Sequence, residues 1–198
     1  MIETIEQLEA LYGTPKPASQ VKVADHLTAE YGAYIKASPF VALATVGPEG
    51  LDCTPRGDNG QVVFIEDDKT LSLPDWRGND RLDTLRNIVR DPRLSLMFLV
   101  PGSNTVVRVN GTGRIFATPE LLQRFAKSGK APRTVLLITI DEIYFQCARA
   151  VMRADLWNGE PAPSLPTAGE ILASMTDGEV GGTEYDKTWP ARAEKTLW

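Results

Sequence analysis

Histidine is almost missing from this 198-residue chain: His26 is the only one. A nucleophile–histidine–acid triad or an imidazole-rich metal site needs more than this. The residue stands between Asp25 and Glu30 in a stretch that reads as a solvated surface helix. Cysteine is equally scarce. Cys53 and Cys147 match neither zinc-ligand spacing nor a disulfide framework, and read as small buried hydrophobes. No bound metal is expected. Surplus positive charge is lacking too. With 21 Lys and Arg against 26 Asp and Glu, the net charge of -5 excludes the broad basic surface of a nucleic-acid binder. No apolar run approaches the roughly 20 residues of a membrane helix. Met1–Gly13 has no basic start followed by an apolar core, so no secretion signal is expected. The expectation is a cytoplasmic protein with neither membrane nor nucleic-acid partner. Repeats and low-complexity runs are absent as well.

What is present is a change of period. Ile2, Ile5, Leu8 and Leu11 recur at helical spacing and predict a helix over Met1–Tyr12, broken by Thr14-Pro-Lys-Pro17. A second helix is predicted over Ser19–Ala37, with Ala24, Leu27, Tyr31, Tyr34 and Ile35 on one face and Pro39 as its stop. From Phe40 the period falls to two. Phe40–Val46, Leu51–Thr54, Gln61–Ile65 and Thr70–Leu73 read as strands, separated by turn chemistry at Gly47–Gly50, Gly57–Gly60 and Asp67–Lys69. A helix over Leu82–Arg90 interrupts them. Strands resume at Leu94–Val100, Thr105–Phe116 and Thr134–Ile143, with a small helix over Pro119–Ala126 before the last. Six or seven consecutive antiparallel strands must close or cover their edges, which predicts a mainly β fold, a small barrel with flanking helices. Residues 1–37 form a helical segment packed on the barrel, 38–157 the barrel itself, and 158–198 a linker, a short helix at Ala168–Met175 and a tail. That tail, Gly178–Trp198, reads as loosely ordered unless a partner subunit holds it.

Charge chemistry concentrates at two strand ends. Between the strand ending at Leu73 and the helix opening at Leu82 lie Arg77, Gly78, Asn79 and Arg81. The free amides of a helix start attract anions, and two guanidiniums add to the effect. Thr54-Pro-Arg-Gly-Asp58 closes an earlier strand and offers Arg56. The plain alternative is a solvated turn whose arginines pair with Asp75, Asp80 or Asp83. An acidic protein with arginines at two strand ends suits a small phosphorylated ligand, since several convergent donors satisfy a phosphate best. Two weaker signals follow. Arg149 and Arg153 stand four apart and would share a helical face. On the strand Asn104–Gly111, Thr105 and Arg108 could line a groove.

Several of these motifs together resemble a known family. Ser38-Pro-Phe40, Thr54–Asp58, Gly78–Ile88, Asp91-Pro-Arg-Leu94, Leu99–Gly102 and Arg108–Gly111 are similar to the pyridoxamine 5′-phosphate oxidase-like flavin-nucleotide-binding proteins, and Phe145–Ala150 with Arg153–Trp157 resembles their C-terminal signature. The resemblance implies an antiparallel Greek-key split β-barrel that binds FMN, as a homodimer with the cofactor at the subunit interface. It implies that Arg56 and Arg81 grip the FMN phosphate with Asn79 beside them, and that Arg77 lies in a loop longer than in the oxidases. Gly57, Asp58 and Asn59 would border the isoalloxazine ring, with Leu73, Pro74 and Asp75 at the strand end beside it and Thr105 and Val106 on its other flank. The oxidases carry a C-terminal arginine and histidine for their vitamin substrate. Here no histidine follows Trp157. The resemblance therefore implies an FMN-dependent oxidoreductase with a different small substrate, or else a non-catalytic flavin carrier or sensor, or a split barrel using a deazaflavin. No catalytic side chain is assigned.

Overall fold

The structure is a computed structural model that describes residues 1–13, 17–78, 81–159 and 164–195. Its frame is one seven-stranded antiparallel sheet. The strands are β1 (Phe40–Gly47), β2 (Gly50–Gly57), β3 (Phe64–Ile65), β4 (Thr70–Asp75), β5 (Arg93–Leu99), β6 (Val106–Phe116) and β7 (Thr134–Gln146), in the order β2-β1-β5-β6-β7-β4-β3. β5, β6 and β7 form a meander and β4 returns beside β7, which is a Greek key. Alternation explains the core. On β1, Val41 and Leu43 are buried while Phe40 is exposed, and on β5 Leu94, Leu96 and Phe98 are buried while Met97 is exposed. Val107 and Val109 of β6 and Ile138 and Ile140 of β7 complete the inner layer. Each such side chain contributes roughly 1.5–3 kcal/mol by leaving water. At Asn110/Gly111 the β6–β7 register shifts. A Cβ on Gly111 would run into the Thr139 carbonyl, so the bulge requires glycine.

Eight helices are described. α1 (Ile5–Tyr12) is capped by Thr4 and buries none of its side chains. The helix expected over Ser19–Ala37 is in fact two, α2 (Pro17–Gln20) and α3 (Ala29–Ala37). Between them the backbone joins the sheet: Ala24 N–H donates to the Ile143 carbonyl at 3.0 Å, and the Ala24 carbonyl accepts from Ile143 N–H at 2.7 Å. The β-branched Val21 and Val23 favour that extended path, and Thr28 caps a fresh helix start. His26 therefore lies in an irregular segment and not on a helix, its Nδ1 2.8 Å from Asp25. α3 and α4 (Asp83–Arg90) cover the sheet with Ile35 and Ile88. α5 (Pro119–Arg124) and α6 (Arg149–Ala154) are short.

The strand boundaries also shift. β2 continues three residues past Thr54, β4 runs on to Asp75, and the strand expected over Gln61–Ile65 shrinks to two residues. Pro55 is tolerated because β2 is an edge strand. Pro74 is tolerated for a related reason. The Asp75 carbonyl accepts from Arg133 N–H at 3.1 Å on the β7 side, so Pro74 directs its nitrogen the other way, where β3 has already ended at its Ser72 partner.

The tail departs most from expectation. α7 (Ala168–Met175) opens with a capping box of Thr167 and Glu170, and α8 (Gly182–Lys195) packs against it. Asp186 ties the pair, accepting from Thr167 Oγ1 at 2.5 Å and from Gly169 N–H at 2.8 Å. A tail expected to be loose is thus a helix over most of its length. Pro190 and the glycines before it hid the signal. Among the described residues no helix is long and apolar enough to cross a membrane.

Candidate ligand cleft

The ends of β2 and β4 lie side by side in space although β3 and two turns separate them in sequence. Opposite them stands α8. Together they enclose a cleft of about 600 Å³, bordered by Pro55–Asp58, Val62, Leu73–Gly78, Tyr185, Trp189, Arg192 and Ala193. Of the residues expected at the site, the structure brings together Arg56, Gly57, Asp58, Leu73, Pro74, Asp75 and Arg77. β2 alternates so that Asp52, Thr54 and Arg56 share one side and Leu51, Cys53 and Pro55 the other. Register sets Arg56 opposite Val41 of β1, so a cation extends from the core side of an edge strand into the cleft.

Arg56 and Asp75 pair at 3.5 Å, each about a quarter exposed. Burial raises the Asp75 pKa above its ordinary 3.8, while Arg56 and Arg133 pull it down. Asp58 is almost fully buried and its carboxylate accepts from Lys127 Nζ at 2.5 Å and from Asn59 N–H at 2.7 Å. Lys127 also lies 5.6 Å from the Trp76 ring centre. Trp76 Nε1 and Thr134 Oγ1 are buried without a hydrogen-bond partner among the described residues. Thr134 is the register partner of Asp75, so both orphaned groups lie beside the strand end that borders the cleft. A buried N–H without an acceptor is costly.

The far wall is aromatic. Tyr185 and Trp189 stack with ring centres 6.1 Å apart and planes within 6°, and the Arg192 guanidinium lies 5.2 and 5.1 Å from the two centres. Sequence reasoning missed Trp76, Tyr185 and Trp189. Trp76 stood within the flagged loop, but the tail helix carried no motif.

The remaining expected residues lie elsewhere. Arg81 is on a second cleft with Arg86, Arg90 and the β1–β2 turn, where it pairs with Asp83. The start of α4 is therefore occupied by its own acid, and Thr84 donates to Asp52 at 2.5 Å. Asn59 lies in the turn after β2 and Asn79 outside the described residues. Thr105 borders a third groove with Tyr31 and Tyr34, and Val106 is buried at the start of β6. Arg108 packs over the Tyr144 ring. Both cysteines are exposed, against expectation, because they follow the outward side of β2 and the end of β7. Among the described residues no group of three or more His, Cys, Asp or Glu is placed to hold a metal.

With this geometry in view, the chain was compared with known proteins. Residues 27–147, which span α3 and all seven strands, match the family described as pyridoxamine 5′-phosphate oxidase. A candidate pyridoxamine 5′-phosphate oxidase from Lactobacillus delbrueckii is similar at 23% identity and a TM-score of 0.50, over 61% of this chain and 95% of its own. HupZ of Group A Streptococcus is similar at 18% identity and a TM-score of 0.50, over 60% and 93%. An FMN-binding protein from Syntrophomonas wolfei aligns at 14% identity and a TM-score of 0.48, over 72% and 97%. The first two likenesses show a shared split-barrel fold. No curated protein matches the chain.

Proposed function

Because this chain belongs to the pyridoxamine 5′-phosphate oxidase family, we propose that it binds FMN in the cleft under α8 and acts as an FMN-dependent oxidoreductase on a small molecule other than phosphorylated vitamin B6. One observation carries the reading: the Arg56 and Arg77 guanidiniums meet the apolar residues of two strand ends and the Trp76 side chain in one cleft of about 600 Å³. Ligand pockets commonly measure roughly 300–1,000 Å³ and combine apolar walls with few polar groups. FMN needs that combination, a flat ring system and a dianionic phosphate.

FMN supplies reversible electron and hydride transfer when bound. The chain's own residues bind and orient. Leu73–Asp75 and Gly57–Asn59 border the ring, Arg56 grips the phosphate with Arg77 beside it, and Arg81 reaches it by swinging out of its own cleft. Arg81 now pairs with an exposed aspartate, and such pairs exchange partners at little cost. Asp58 and Asp75 are each held by a cation, so neither needs to move a proton. Stacked aromatics along α8 exclude water from the opposite side.

The site is completed in a homodimer. The outward side of β2, β1 and β5 carries Leu51, Phe40 and Met97, all exposed, and an isologous contact would cover them. Thr105 then borders the partner's cofactor from its own groove, with Val106 packed behind it. The protein works in the cytoplasm. Absorption at the flavin bands, with FMN released on denaturation, tests the cofactor; colourless protein that ignores added FMN would refute it. Reduction by NADH or NADPH then separates an oxidoreductase from a flavin carrier.

A further inference from the structure

We propose that the α8 face formed by Tyr185, Trp189 and Arg192 is the substrate platform of the cleft, and that it selects a planar conjugated carboxylate. The inference rests on the flavin reading for its redox role, but not for the binding chemistry.

The family match ends at residue 147, so α8 belongs to the part of the chain that lies beyond it. The helix is held by α7 through Asp186 and buries none of its own side chains. It nevertheless spends two large aromatics on the cleft wall, and Trp189 remains 47% exposed there. The near-parallel rings stack along the cleft wall as an aromatic surface. Flat conjugated molecules stack on such a surface, whereas puckered aliphatic ones lose contact. Arg192 lies almost equally far from both ring centres, so an anion on the edge of a stacked ring falls within its reach.

Charge number decides which anion. A carboxylate is satisfied by one bidentate guanidinium, whereas a phosphate dianion calls for several convergent donors. Among the described residues Arg192 borders the cleft from the α8 side, while Arg56 and Arg77 stand on the strand side. The opposed placement divides the cleft by charge: dianion toward the strands, monoanion toward the helix.

The test titrates the full chain with naphthalene-2-carboxylate, its neutral carboxamide and cyclohexanecarboxylate, with and without FMN. Tryptophan fluorescence and perturbation of the flavin bands report binding. The acid should bind at least about tenfold more tightly than either comparison compound, and Arg192→Gln should bring it down to the carboxamide. Trp189→Leu should weaken both aromatic probes about tenfold, with and without FMN. Circular dichroism checks α8 in each variant, and Arg192→Gln alone decides if Trp189→Leu loses the helix. Equal binding of acid and carboxamide, or unchanged acid affinity in Arg192→Gln, overturns the proposal. Tighter binding of pyridoxine 5′-phosphate than of the acid overturns the carboxylate assignment. Acid binding through Arg192 in protein that takes up no FMN would refute the flavin reading and support the platform.

Discussion

At the scale of single residues, the cleft turns on Arg56 and its acid. Arg56→Ala and Arg81→Ala should each weaken FMN binding about ten- to a hundredfold, the loss expected when one charged hydrogen-bond donor is removed. FMN titration of both folded variants checks this, and wild-type affinity in both would remove them from the phosphate site. Asp75 gives a prediction with a sign. Its raised pKa means that the folded state holds the proton more tightly than the unfolded chain, so its stabilising contribution is complete below the ordinary value of 3.8 and lost as pH rises through the folded value. The unfolding free energy of wild type minus that of Asp75→Asn should therefore fall as pH rises above about 4. Urea unfolding across that range measures it. A rising difference would show that Arg56 and Arg133 outweigh burial.

Among the elements, α7 and α8 are held to each other by a close backbone approach. A Cβ on Gly169 would come within 3.0 Å of the Gly182 carbonyl and the Asp186 carboxylate. Gly169→Ala must push the helices apart, and overpacking of this kind costs roughly 1–3 kcal/mol. The barrel core does not share that contact. We expect normal barrel unfolding, faster proteolysis within Gly182–Lys195, and loss of the Trp189 fluorescence response to ligand. Unchanged proteolysis would mean that the pair adjusts without separating. The same scale explains the broken helix before α3. Helical spacing continues through Ala24, but Ile143 offers its backbone groups there, and two sheet hydrogen bonds outweigh a turn of weak helix.

For the whole molecule, the outward side of β2, β1 and β5 leaves Leu51, Phe40 and Met97 exposed. Light scattering at several concentrations should give twice the 21.7 kDa chain mass. Met97→Asp, directed outward on β5, should shift the protein to monomer and weaken FMN binding with it, because a charge at a desolvated interface is costly. A monomer that binds FMN as tightly as the dimer would show that the site lies within one chain.

The sequence by itself determined the sheet. Period-two runs and their turns are local signals, since alternation depends only on which side faces the core, and the motifs between Ser38 and Trp157 pointed to the family. Arg56, Asp75 and Arg77 were legible because strand ends and turn chemistry mark where side chains emerge. Only the tertiary structure decided what those residues face. Contacts between Arg56 and Asp75, or between Lys127 and Asp58 across 69 positions, have no periodicity to reveal them. The same holds for α8: its own sequence contains Pro190 and little to bury, so its order arises from Asp186 reaching Thr167 and Gly169. Long-range contacts of that kind are written in no local pattern, and they place the aromatic wall of the cleft.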